Sequence, residues 1–261
     1  MSDPPRRVSS FLVPGRALLL APLALCAGSA FGQSLVADFV FDGAVLAPPA
    51  TLVTLNDLGD NLFTTETIDG FDLDVLHFPE GSGLSLSPVT AVLPQGAYSV
   101  AILFRFEDVS GFRKILDFKS GTSDLGLYVY YGDLVFFNLA NGSGAPVSPN
   151  QWVQVVLTRD ALGNSAGYVD GAPQIQFPDT EGDALAGEED EFRLFQDDVE
   201  TSGSEASAGS VARIRVFDFP LSPAQVPLLD RVPCSFIPDA AASDLAVTKI
   251  RVKPRVKLSQ A

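Results

Sequence analysis

At 261 residues the chain has room for one large β domain or two small ones, and its 22 Gly and 19 Pro argue against a helical bundle. A formal net charge of −15 repels nucleic acid and anionic lipid, excludes both as expected partners, and attracts cations. Of two cysteines, Cys26 lies in an apparent leader, so Cys234 would be left as a lone, inert thiol and the core alone must hold the fold.

Residues 1–32 read as an export signal. Arg6, Arg7 and Arg16 supply positive charge, an apolar run follows from Ala17 to Ala27, and small residues end it. The run is too short to cross a membrane, so no transmembrane segment is expected. Cleavage between Ala30 and Gln33 would leave a protein that is secreted, periplasmic or at the cell surface. Arg6-Arg7 suggests twin-arginine export, but Val8-Ser9-Ser10 follows where an apolar pair is usual. A lipoprotein at Cys26 is disfavoured because Leu25 is bulky where such signals carry Gly or Ala.

From Ser34 onward short apolar runs alternate with turns. Strands are expected over residues 35–41, 52–55, 62–67 and 73–78, with Asp and Gly between them. Residues 97–107 are stronger: Tyr98, Val100, Ile102, Phe104 and Phe106 share a face by period two. Strands follow at 113–118 and 125–131, and Gly132-Asp133 should turn the chain into 134–139. Trp152 opens another strand, and Asp170-Gly171 supplies the positive φ of a tight turn; Pro173 places the following strand at a sheet edge.

Residues 179–191, rich in acid, Gly and Ala, read as a solvated loop. Strand resumes over 192–196, a polar loop spans 197–207, and the last long strand covers 211–219. There, strict alternation sets Val211, Arg213, Arg215 and Phe217 on one face and Ala212, Ile214 and Val216 on the other. Ser222-Pro223-Ala224-Gln225 matches a capped helix start, and Pro227 limits the helix to a turn or two.

These signals describe an all-β chain: a two-layer antiparallel β-sandwich with one short C-terminal helix, spanning residues 33–231. Residues 232–261 are a linker and basic tail, in which Val247, Ile250, Val252, Val256 and Leu258 alternate with Lys249, Arg251, Lys253, Arg255 and Lys257. The tail resembles the first strand of a truncated immunoglobulin-like module, and one strand cannot bury its own apolar face.

Four stretches resemble the laminin G-like, concanavalin A-like jelly-roll family. They are the hairpin 151–177; Lys114-Ile-Leu-Asp-Phe118 with Asp124-Leu-Gly-Leu-Tyr128; Phe195-Gln-Asp-Asp198 with Glu205-Ala-Ser-Ala-Gly209; and the closing 211–226. The resemblance covers roughly residues 34–230 and implies a jelly roll, usually extracellular, that often binds glycans, proteins or Ca²⁺. It does not fix a ligand.

The expected function is an exported, non-catalytic module for an extracellular glycan or protein, possible calcium dependence included. The alternative is a structural or adhesive segment of a cell-surface assembly; a glycoside hydrolase of the same fold is the third reading. Hydrolysis needs two carboxylates set across a sugar, whereas Glu188-Glu189-Asp190-Glu191 is an acidic run without apolar alternates. His77, the single histidine, reads as a strand or surface residue. Trp152 is expected between the sheets, with sugar stacking the other option. Lys114, Arg159 and Arg213 are expected to pair with acids rather than bind an anion. Ca²⁺ is expected at Asp197, Asp198 and Glu205: if a strand ends near Gln196, adjacent acids can share an ion, and they repel unless a cation or Arg213 neutralises them.

Overall fold

The computed structural model describes residues 35–41 and 52–232. The expected leader, Cys26, Cys234 and the basic tail lie outside the described residues. In chain order the first strands are β1 (Leu35–Val40), β2 (Thr54–Leu58), β3 (Leu62–Ile68), β4 (Phe71–Phe78) and β5 (Gly83–Ser87). Then come β6 (Tyr98–Phe106), β7 (Phe112–Asp117), β8 (Gly126–Tyr130), β9 (Asp133–Phe136) and β10 (Ala140–Asn141). The last are β11 (Val153–Arg159), β12 (Asn164–Val169), β13 (Ala172–Pro178), β14 (Phe192–Leu194) and β15 (Gly209–Phe217). The short helix expected near the C-terminus is a 3-10 turn, Val226–Leu228, which starts later than the Ser222 cap predicts. Gln225 is its N-cap and makes no side-chain cap bond, while the Ser222 N–H donates to Gln225 Oε1 at 2.9 Å.

Two antiparallel sheets make the sandwich. One is eight-stranded, ordered β13-β12-β11-β6-β15-β4-β3, with β1 also paired to β15. The other is seven-stranded, ordered β10-β9-β8-β7-β14-β5-β2. Between them lies the main core, which takes all five period-two residues of β6, from Tyr98 to Phe106. β13, which carries Pro173, is an edge strand, where a missing N–H leaves no ladder bond unmade.

β15 departs from strict alternation. A bulge between Val211 and Arg213 shifts its register against β6. Val211 therefore joins Ile214 and Val216 in the main core, while Ala212 packs with an outer cluster. The turn between β8 and β9 also sits one residue earlier than expected. Tyr130 pairs with Asp133, so the turn residues are Tyr131 (φ 48) and Gly132 (φ 90).

The outer face of the eight-stranded sheet carries two further apolar clusters, covered by residues 219–232. That covering segment is tied down electrostatically. Asp230 accepts from Arg213 and Arg215 at 2.8 Å each, and Arg231 pairs with Asp69 and Asp170. Trp152 packs against one of these outer clusters rather than between the sheets, because Val153 already points into the main core. Residues 179–191 are likewise anchored, not merely solvated. Asp179 is buried with Arg159 at 2.6 Å, and Ala184 enters the core.

Candidate functional site: the outer face of the seven-stranded sheet

On β7 and β8 the register pairs Phe112 with Tyr130 and Lys114 with Tyr128. The alternate residues Leu127 and Val129 belong to the main core, so these four side chains stand on the opposite, outward face. Two features are built there: a buried ion cluster and an exposed aromatic platform.

The cluster centres on Lys114. Its Nζ lies 2.7 Å from Asp198 Oδ2 and 3.3 Å from Asp117 Oδ2, and all three side chains are fully buried. The ammonium also sits 4.4 Å from the Tyr128 ring centroid, a cation–π contact. Gly126 lets β8 lie close against β7 beside the lysine stem: a Cβ there would meet Leu116 O at 2.6 Å, with Lys114 Cδ at 3.4 Å. Two loops close over the charges, joined by the Val199 N–H donating to Gly121 O at 3.1 Å. Asp117 Oδ1 accepts from the Lys119 and Gly121 N–H groups. Asp198 Oδ1 accepts from the N–H groups of Glu200 and Thr201.

Three expected residues meet here. Asp197 Oδ2 accepts from Thr201 Oγ1 at 2.6 Å and the Glu205 N–H at 2.9 Å, while its buried Oδ1 has no hydrogen-bond partner. Burial, with help from nearby Asp124 and Asp197 and against the pull of Lys114, pushes the Glu205 carboxyl up to about 7. For Asp198, burial acts upward, but Lys114 and the backbone donors hold it below the ordinary carboxylate range.

As arranged, Asp198 already has its counter-ion. Both Asp198 oxygens are engaged, and the positive charge beside it comes from Lys114. Among the described residues no group of three or more His, Cys, Asp or Glu side chains is set to hold a metal. The strand does end where the acids need it to: β14 stops at Leu194, and Phe195 takes a left-handed φ of 66°.

The platform lies beside the cluster. Phe112 stacks on Tyr130 with centroids 4.1 Å apart and meets Phe137 edge-on at 5.7 Å. Tyr131 stands against Tyr130 at 4.8 Å and remains 62% exposed. Its φ of 48° is uncommon for a bulky residue in a turn that prefers Asn, Asp or Gly. Such strain at an exposed aromatic points to a role other than stability.

The other residues weighed from sequence are structural. Arg159 pairs with Asp179, and Arg213 with Asp38 and Asp230. Of the acidic run, Asp190 accepts from Thr90, and Glu191 pairs with Arg193. His77 Nδ1 is 3.5 Å from Ser210 Oγ, but that buried hydroxyl donates to Glu66 at 2.6 Å. Gly163-Asn164-Ser165-Ala166-Gly167 spells Gly-x-Ser-x-Gly, a pattern not singled out above. It runs along antiparallel β12 with Ser165 buried, not at the strand-to-helix elbow that the motif requires.

The laminin G-like model of the concanavalin A-like lectin/glucanases superfamily matches residues 79–227. The chain belongs to this superfamily. No curated protein matches it. Domain 4 of AbnA, an extracellular GH43 arabinanase from Geobacillus stearothermophilus, in complex with arabinotriose, is similar with TM-score 0.54 and 16% identity, over 75% of this chain and 97% of that one. The binding domain of botulinum neurotoxin DC, in complex with rat synaptotagmin II, is similar with TM-score 0.54 and 12% identity. The match covers 75% of this chain and 51% of that one, so the superfamily domain spans about half the toxin fragment. At such identities the likeness is one of fold.

Proposed function

We propose that this superfamily member is a non-catalytic binding module, exported after cleavage between Ala30 and Gln33, whose ligand is a neutral glycan held on the Phe112–Tyr130–Tyr131 platform. The observation that carries the reading is Tyr131, an exposed ring kept at a left-handed turn position that Gly or Asn would take without strain. Flat, exposed rings with polar tips suit sugar faces, and Tyr pairs an apolar body with a hydroxyl. The chain's formal net charge of −15 repels uronates and sialylated glycans, which argues for a neutral ligand. The arabinotriose held by the arabinanase domain and the synaptotagmin held by the toxin domain support a glycan or a protein as ligand class.

A glycan array probed with the mature wild-type chain tests this. Binding to neutral oligosaccharides, with acidic ones refused, is the expected result. No glycan bound, together with stable capture of a surface protein, would favour the adhesive-segment alternative instead.

A further inference from the structure

The Lys114 ammonium is coordinated much as a small metal ion would be. Two fully buried carboxylates from different parts of the chain converge on it at 2.7 and 3.3 Å, and an aromatic ring closes one side. Each carboxylate is also fixed from behind by backbone N–H groups, at Lys119 and Gly121 for Asp117, and at Glu200 and Thr201 for Asp198. The oxygens are therefore held in place independently of the lysine. Negative charge exceeds positive here, since Asp124, Asp197 and Glu205 adjoin the pair. Asp197, only 9% exposed, keeps a buried oxygen without a partner.

We propose that Lys114 is the resident cation of this face, taking the place that calcium would take in an acidic loop, and that removing it turns the Asp117–Asp198 pocket into a divalent-cation site. Calcium binds oxygens at about 2.3–2.6 Å, close to the present Nζ–Oδ2 distance at Asp198, so only small movements separate the two arrangements. Deleting the lysine stem also frees space above Gly126 for the water that calcium needs to complete six to eight ligands. Two buried carboxylates left without a counter-ion are strongly unfavourable, which supplies the driving force for ion uptake. The proposal does not depend on glycan binding.

The test is thermal melting of the mature wild type and of Lys114→Ala in EDTA and in calcium chloride. Wild type should melt at the same temperature in both. Lys114→Ala should melt well below it in EDTA and recover in calcium, gaining about 4 °C per tenfold rise in free calcium above its Kd. Terbium provides a second readout, since Tyr128 lies beside the pocket: tyrosine-sensitised emission should appear in the variant and not above background in wild type. If Lys114→Ala is insoluble in EDTA, refolding yield with and without calcium reads the same question. Lys114→Ala/Asp198→Asn, which removes one charge of each sign, should fold in both media and ignore calcium. A variant indifferent to calcium in melting or refolding, or a wild type that shifts as much as the variant, overturns the proposal.

Discussion

Phe195 turns the chain from β14 into the loop bearing Asp197 and Asp198, and it does so in an unfavourable conformation. Its φ is 66°, its ring is fully buried, and it stacks on Phe78 with centroids 4.2 Å apart and planes 6° from parallel. Phe195→Ala removes the ring and keeps the left-handed backbone, at a cost of about 3–5 kcal/mol. Phe195→Gly removes the same ring but relieves about 1–2 kcal/mol of left-handed strain. Against this stands about 0.5–1 kcal/mol for the greater freedom of Gly in the unfolded chain. Glycine should therefore exceed alanine by about 0.5–1 kcal/mol, which in a domain of this size is roughly 1–4 °C in Tm. In a regular strand the order is the reverse. Paired thermal melts, checked by urea titration at constant m-value, measure the difference. Phe195→Gly melting below Phe195→Ala would refute the left-handed exit from β14 and the loop geometry that depends on it.

Two further outcomes follow from the site. Glu205 is pushed up to about 7 in the fold, above its ordinary value of 4.5. The native state thus holds the extra proton between those values, and Glu205 makes stability fall as pH rises through that window. Glu205→Gln should consequently melt above wild type at pH 8, with the gap closing near pH 4.5. An unchanged gap across that range would contradict the desolvated position of Glu205. Tyr131→Asn exchanges a strained residue for one that accepts positive φ, offsetting the lost edge contact with Tyr130, worth about 0.5–1.5 kcal/mol. Its Tm should stay within about 2 °C of wild type; a larger fall would mean that Tyr131 serves the fold.

The β6 face was legible because five apolar residues alternate without interruption, and a period-two pattern needs no knowledge of the partner strand. β15 was misread in part because a bulge adds a residue that alternation has no means of registering. The covering segment 219–232 is apolar without a period, and its role appears only where Asp230 meets Arg213 and Arg215 across the sheet. At the site, the acids at 197, 198 and 205 drew attention as a local cluster. Their cation comes from Lys114, 84 residues before Asp198, a pairing that no local pattern encodes. Tyr131 was passed over because Gly132-Asp133 is the commoner turn dipeptide. The registered pair Tyr130–Asp133 moved the turn onto the aromatic.

The central claim rests on whether the platform binds sugar. Isothermal titration of a neutral oligosaccharide chosen from the array into wild type and Tyr131→Asn tests it directly, since the variant should keep its fold. The expected result is saturable binding by wild type, weakened at least tenfold in Tyr131→Asn, or about 1.4 kcal/mol. Equal affinity in the two proteins would contradict the assignment of the site.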